Sequence, residues 1–191
     1  SEGEDPRAID ALLRGVNSRN NSVRAAIYPR GVGEISWDKS FWKDTLRNAM
    51  HTGLTVDMMR LWDVQRGIEA LRAESQVDPA RIMVMGSGVS GALALYAAIL
   101  DPAVAQVTLI DPPESHLHGP VFLNVMRHTD LPEAAALLAP RRLNFYARMP
   151  AAYELTRRLY ALQGKPDHVF LTMQIEGVLE GRYDHGYASG F

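Results

Sequence analysis

The sequence predicts an α/β protein: a three-layer sandwich with a mostly parallel sheet of about five strands. Two observations lead to this prediction. Short runs rich in β-branched and apolar residues alternate along the chain with stretches whose apolar residues recur at helical spacing. The chain has 191 residues and is 47% hydrophobic, which is enough for a sizeable core in one domain. Alternation of this kind is typical of a parallel sheet covered by helices on both faces.

The individual elements follow from local patterns of apolar and turn-forming residues. The clearest helix covers 55–73, which has a wide apolar face, and two loops cover the polar, aromatic stretch 30–43 and the irregular stretch 112–128. Helices are predicted over 6–16, 55–73, 91–100, 130–140 and 151–162, and strands over 23–29, 81–86, 104–111, 141–147 and 168–176. Because open α/β sheets usually carry more strands, we expect residues 1–191 to be a single domain from the C-terminal part of a larger chain or domain.

Composition excludes several classes of protein. The absence of cysteine removes disulfide scaffolds, thiolate catalysis and cysteine-bound zinc. Twenty basic against 22 acidic residues leave a net charge of -2, so we expect no nucleic-acid partner. The longest apolar stretch, 91–100, is about half the ~20 residues of a membrane-spanning helix, so we expect no membrane partner. No cofactor is predicted, and no metal, because His116 and His118 lack a third fixed ligand.

A glycine-rich turn between a strand and a helix is the most informative segment. Gly86, Gly88 and Gly91 match the pattern G-x-G-x-x-G, and Asp111 closes the next predicted strand. This spacing is the dinucleotide-binding fingerprint, in which the turn, including Val89, approaches a pyrophosphate at the helix N-terminus and the carboxylate binds a ribose. The pattern therefore predicts a nucleotide- or phosphate-binding module as one function.

The same turn also fits a second motif, the nucleophile elbow G-x-S-x-G. In that alignment Gly88 stands where the nucleophilic serine is needed, and a glycine has no hydroxyl with which to form an acyl-enzyme. Ser87 and Ser90 flank the tip of the turn, but a shift of one or two residues changes the direction of the side chain.

Several further segments carry a family resemblance when they are taken in order. They are PRGVGE (29–34), the helix 58–72, VDPARI before the glycine turn, ALYAAILDP after it, 130–143 and the terminal YDHGY (183–187). With these segments the chain resembles the acetyl-xylan-esterase-like, dienelactone-hydrolase-related branch of the α/β-hydrolase superfamily. The resemblance implies strands four to eight of the hydrolase sheet, a small-molecule or carbohydrate ester as substrate, and an extracellular or periplasmic location.

The chain departs from this family where the chemistry should lie. Gly88 replaces the nucleophile, and Ala147 and Arg148 stand after the strand where the family usually supplies an acid. Of the implied catalytic residues, only the base has a candidate, His185 in YDHGY. The resemblance therefore implies a degenerate esterase-like domain with either no ester hydrolysis or a non-standard reaction that uses His185 with Ser87.

Other polar candidates follow the ends of predicted strands, where ligands bind in parallel sheets. His116 is a candidate base, or else a loop histidine that is hydrogen-bonded to backbone carbonyls. Asp111 is a ribose ligand, a relocated catalytic acid, or the polar end of a strand. Arg30 and the adjacent Gly31 form a candidate anion clamp, or else the arginine braces its loop through an acid such as Glu34.

The stretch 30–43 also contains a cluster of aromatic residues. Trp37, Phe41 and Trp42 lie close together in sequence and suit a sugar ring or a protein partner if exposed, or a lid if packed on the core. A non-catalytic structural or assembly domain is the remaining alternative function. Its expected partner is the rest of a larger chain or a second copy of this one.

Overall fold

The computed structural model describes residues 23–173, and four strands of this part form one parallel sheet. The strands are β1 (Ile82–Ser87), β2 (Val104–Ile110), β3 (Arg142–Tyr146) and β4 (Val169–Thr172), and they lie side by side in chain order. The α/β class and the parallel sheet are confirmed. The described residues supply four strands where the sequence predicts about five.

Five α-helices accompany the sheet within residues 23–173. They are α1 (Lys39–His51), α2 (Val56–Ala73), α3 (Gly88–Leu100), α4 (Leu131–Ala136) and α5 (Glu154–Leu162). Oxygen atoms of the Asp38, Thr55 and Asp130 side chains accept hydrogen bonds from backbone N–H groups in the first turns of α1, α2 and α4 and so fix where these helices begin. Because parallel strands in chain order are joined by right-handed crossovers, α3, α4 and α5 lie on one face of the sheet.

The strand predicted over 23–29 is wrong. These residues are mostly exposed and pair with no strand of the described sheet. The run contacts helix α2 instead, since the side chain of Ile27 lies against Gly67. An apolar run forms a strand only where a neighbouring strand satisfies its backbone, and its sequence does not reveal whether one is present.

Several other boundaries differ from the prediction, and some predicted elements lie outside the described residues. The helix predicted over 130–140 ends at Ala136, and the helix predicted over 151–162 begins at Glu154. Part of the loop predicted over 30–43 is helical, because Asp38 caps α1. The helix predicted from Gly91 begins three residues earlier, at Gly88. The helix predicted over 6–16 and the end of the strand predicted over 168–176 fall outside residues 23–173.

The hydrophobic core lies between the sheet and the helices on this face. Helix α3 is apolar along its length, and Ala92, Leu95 and Ala98 are almost fully buried. They belong to the same cluster as Leu109 of β2 and Phe145 of β3. Among residues 23–173, no helix combines the length and the apolar character that crossing a membrane requires.

Helix α3 crosses β1 at a backbone contact that only glycine permits. A Cβ atom on Gly91 would lie 2.8 Å from the carbonyl oxygen of Gly86, and a Cβ atom on Gly86 would lie 2.5 Å from the carbonyl oxygen of Ser90. Both distances are shorter than a carbon–oxygen contact allows, and both neighbouring atoms are backbone. The two glycines therefore set how closely α3 packs on the sheet.

We expect Gly91→Ala to lower the free energy of unfolding by about 2 kcal/mol, because the added methyl group forces α3 away from β1. Helix propensity alone predicts the opposite sign, a gain of about 1 kcal/mol. The matched control is Gly67→Ala in α2, where the added atom meets the side chain of Ile27, in the mostly exposed run 23–29, rather than backbone atoms. Urea unfolding of both variants checks this, and a Gly91→Ala variant as stable as the Gly67→Ala variant would contradict it.

Candidate functional site

The glycine turn forms a sharp strand-to-helix connection at the carboxyl end of β1. Strand β1 ends at Ser87, and α3 begins at Gly88, whose φ is 51°. The close contact between Gly86 and Gly91 holds the turn tight. This combination is a tight strand–turn–helix connection with Gly88 at its tip, and both the dinucleotide fingerprint and the nucleophile elbow require such a connection.

The ends of three neighbouring strands share this left-handed conformation. Ser87 pairs with Ile110 across the sheet, and Ile110 pairs with Tyr146. The residues that follow them, Gly88, Asp111 and Ala147, therefore lie at one level of the carboxyl edge, and their φ values are 51°, 42° and 62°. A non-glycine residue in this region stores about 1–3 kcal/mol of strain, which is found most often at functional sites.

Asp111 forms an ion pair with Arg148 at this edge. The Arg148 Nη2 atom lies 2.9 Å from the Asp111 Oδ1 atom, and the two side chains are 64% and 75% exposed. Hydrogen bonding to Asp111 raises the pKa of Arg148. The carboxylate nearest the glycine turn in the sheet register thus follows β2, while a cationic residue follows β3.

Ser87 and Val89 flank the tip of the turn. Ser87 occupies the N-cap position of α3, but its side chain caps no N–H group of the helix. No hydrogen bond joins its hydroxyl to another residue of the described range. Val89 lies in the first turn of α3, whose backbone N–H groups have no partner within the helix and face the carboxyl edge.

His116 is buried, with 7% of its surface exposed, and both ring nitrogens have partners. Nδ1 lies 2.8 Å from the carbonyl oxygen of Pro120, so it carries the proton and donates it. Nε2 lies 2.8 Å from the hydroxyl of Tyr96 and accepts from it. Burial raises the pKa of Tyr96 to about 12, which keeps the phenol protonated as a donor. A role as base therefore requires His116 to give up the Tyr96 bond.

Arg30 is tied to α2 by a bidentate ion pair with Asp63. Its Nε and Nη2 atoms lie 2.7 and 2.5 Å from the two carboxylate oxygens, and its backbone N–H also donates to Asp63. Hydrogen bonding to Arg30 holds the pKa of Asp63 below its usual value. Arg60, one turn earlier on α2, donates to the carbonyl oxygens of Arg30 and Gly31. The loop is therefore braced from α2, and Asp63 is its acidic partner.

Gly31 and the aromatic cluster pack together beside this ion pair. Gly31 has a φ of 70°, and a Cβ atom there would lie 2.8 Å from the indole ring of Trp37. Ring centroids of Phe41 and Trp42 lie 5.2 and 5.5 Å from that of Trp37. The guanidinium of Arg60 stacks on Trp42, 4.8 Å from its centroid. Trp37 and Trp42 are half-buried, while Phe41 is 54% exposed.

The remaining sequence-based candidates concern a base and a metal. His185 lies outside the described residues. Across residues 23–173, no group of three or more histidine, aspartate or glutamate side chains is arranged to hold a metal ion.

Comparison with known proteins identifies the fold. The fold resembles that of a protein assigned as an acetyl xylan esterase from Bacteroides fragilis, with a TM-score of 0.57 and 18% identity over 75% of this chain and 44% of that one. A methylesterase matches with a TM-score of 0.51 and 18% identity over 61% of this chain and 30% of its own. The fold is of the α/β-hydrolase type.

A third solved structure is similar to part of this chain. A family 15 glucuronoyl esterase from Caldicellulosiruptor kristjansonii has a TM-score of 0.48 and 20% identity over 61% of this chain and 44% of its own. The chain thus spans less than half the length of these α/β-hydrolase-type structures. No protein-family model matches the sequence, and the curated proteins give no match.

Sequence reasoning missed several residues that organise the site. Asp63, Tyr96 and Arg148 each pair with a candidate residue that is at least 20 positions away. Only helix α2 carries a local signal: Asp57, Arg60 and Asp63 recur every three residues and so share one face of the helix. In the folded structure this stripe fastens the loop at Arg30 and the backbone of Val121 to the helix.

We expect the Arg30–Asp63 pair to stabilise the fold at neutral pH and to lose this effect in acid. Because the pKa of Asp63 is lowered on folding, its contribution is present above the usual carboxyl pKa of about 3.9 and is lost as the pH falls below it. Asp63→Asn should cost about 1 kcal/mol at pH 7, and the gap to the wild type should narrow from pH 5 to pH 3.

The matched control is Asp44→Asn, which removes the carboxylate of an exposed pair with Arg47. It should leave the free energy of unfolding close to the wild-type value at each pH. Urea unfolding as a function of pH measures both variants. An Asp63→Asn deficit that stays constant down to pH 3 would contradict the assignment.

Proposed function

We propose that the chain is an esterase-like domain in which the nucleophile elbow persists and ester hydrolysis through a serine is absent. The observation that carries this proposal is Gly88, which stands at the tip of the turn with a φ of 51°. A serine in that place would supply the hydroxyl that attacks an acyl group. Glycine supplies none, while the turn around it is still held by the contact of Gly86 with Gly91.

The neighbouring serine is a poor substitute for the missing nucleophile. Side chains on a strand alternate between the two faces of the sheet. A Cβ atom on Gly86 would point at α3, so the side chain of Ser87, the next residue, points toward the opposite face. Its hydroxyl also lacks a hydrogen-bonded base among residues 23–173, whereas activation of a serine requires one.

The other polar groups near the carboxyl edge are engaged in structural contacts. The carboxylate of Asp111 is paired with Arg148, and both ring nitrogens of His116 are hydrogen-bonded. These contacts favour a domain that keeps the architecture of a carbohydrate esterase and contacts its ligand without cleaving it. The ligand class that we propose is a carbohydrate or a small ester.

A second candidate function is nucleotide or phosphate binding by the same turn. It is favoured by the pairing of Ser87 with Ile110, which brings Asp111 to the strand end beside the glycine turn, as ribose recognition requires. The uncapped N-terminus of α3 adds backbone N–H donors for a phosphate.

Ester hydrolysis tests the first proposal. We expect the wild-type chain to release no acetate from acetylated xylan, and no nitrophenol from short p-nitrophenyl esters, above the rate without protein. Ser87→Ala, Ser90→Ala and His185→Ala should behave identically. Turnover that Ser87→Ala and His185→Ala abolish and Ser90→Ala preserves would overturn the proposal and establish a non-standard esterase.

Calorimetry tests the second candidate. Under the first proposal, titration with NAD, NADP and ATP at millimolar concentration should produce no heat beyond dilution. Binding that Asp111→Asn weakens would instead support the nucleotide function. The control for non-specific charge effects is Asp44→Asn, which changes an exposed carboxylate on α1, distant in sequence from the glycine turn.

A further inference from the structure

A cavity of about 470 Å³ opens between the loop 28–37 and helices α1 and α2. Its size is within the range of sites for small ligands. Three aromatic side chains, Tyr28, Trp37 and Phe41, form much of its lining, with Ile35 and Met59. The glycine turn is not part of it, so this cavity is separate from the elbow.

The side chains of Tyr28, Trp37 and Phe41 present aromatic surface to the cavity. Trp37 and Phe41 meet edge to face at 5.2 Å, and the interplanar angle is 73°. Two ring planes at this angle form a corner rather than a flat slot. The face of an aromatic ring carries partial negative charge and attracts the polarised C–H groups on one side of a sugar ring.

The polar groups of the cavity suit hydroxyl groups. Arg30 and Asp63 line it as a preformed pair, and Thr45 adds a hydroxyl. Among residues 23–173, the partner of the Arg30 Nη1 atom is the thioether of Met59, at 3.4 Å, and thioether sulfur is a weak acceptor. A ligand hydroxyl would be a better acceptor for that donor.

The charges of the cavity select a neutral ligand. Of the lining residues that the structure describes, Arg30 and Asp63 are the charged ones, and their charges cancel. An anion or a cation would compete with one partner of this bidentate pair and leave the other uncompensated. A purely apolar ligand would offer the Arg30 donor no better acceptor than the thioether of Met59. A ring that presents C–H groups on its faces and hydroxyls at its rim satisfies all of these conditions.

We propose that this cavity binds a single neutral pyranose ring, free or as a unit of a polysaccharide. The ring packs on Trp37 and Phe41, and its hydroxyls bond to Arg30, Asp63 and Thr45. The proposal deepens the carbohydrate part of the proposed function, on which its ligand class partly rests. It does not depend on the absence of ester hydrolysis at the elbow.

The test is an NMR titration of the full 191-residue chain with methyl β-D-xylopyranoside, methyl β-D-glucopyranoside and xylohexaose. We expect saturable shifts of the Trp37 indole N–H with Kd values in the millimolar range or below, and no shift for Trp62. Cyclohexanol, a ring without the rim of hydroxyls, should bind at least about tenfold more weakly. Equal affinity for cyclohexanol would overturn the proposal, as would no shift with any of the three sugars.

Two variants distinguish the loss of a ring contact with the sugar from a loss of folding. Phe41→Ala removes an exposed ring of the cavity and should weaken binding of the favoured sugar about tenfold, while circular dichroism stays unchanged. The matched control is Trp62→Ala, since Trp62 is 55% exposed on α2 but does not line the cavity. Equal losses from both variants, or none from Phe41→Ala, would overturn the proposal.

The ester-hydrolysis and sugar-titration results together distinguish the proposed function from the cavity assignment. Sugar binding together with ester turnover that requires Ser87 would overturn the proposed function and support the cavity. An inert elbow without sugar-induced shifts would overturn the cavity assignment alone.

Discussion

The contact between Gly86 and Gly91 is the constraint on which the rest of the structure depends. Because neither residue has a Cβ atom, the backbone of α3 lies directly against the end of β1. That approach places the apolar side chains of α3 over the sheet, where Leu95 and Ala98 are fully buried with Leu109 of β2. It also bends the chain sharply at Gly88. One backbone contact therefore fixes both the core and the turn at the carboxyl edge.

Helix α2 performs a second organising role, through polar rather than apolar contacts. Thr55 and Asp57 at its N-terminus bond to the backbone of Val121, and Arg60 and Asp63 bond to the loop at Arg30. Two long loops that are far apart in sequence are thus fastened to one helix. Since loops hold their shape only when their polar groups are satisfied, this stripe gives both the His116 loop and the aromatic cavity a rigid support.

Most of the sheet and helix α2 can be predicted because their signals are local: apolar periodicity, capping residues and turn pairs lie within each segment. The glycine turn is predictable for the same reason. The strand predicted over 23–29 is wrong, because the conformation of this run depends on whether another strand lies beside it. The partners of Arg30 and His116 could not be predicted from the sequence either. Asp63 and Tyr96 are distant in the chain, and only the folded structure brings them to Arg30 and His116.

Gly88 also changes how backbone strain is distributed among the strand ends at the carboxyl edge. Asp111 and Ala147 both hold left-handed backbone conformations that side chains disfavour, at a cost of about 1–3 kcal/mol each. Gly88 adopts the same conformation without that penalty, because it has no Cβ atom. An elbow that holds a serine keeps its reactive group poised at the expense of conformational stability. With glycine at its tip, this turn holds its left-handed conformation at no such cost, so no folding free energy is lost to a disfavoured backbone conformation at this strand end.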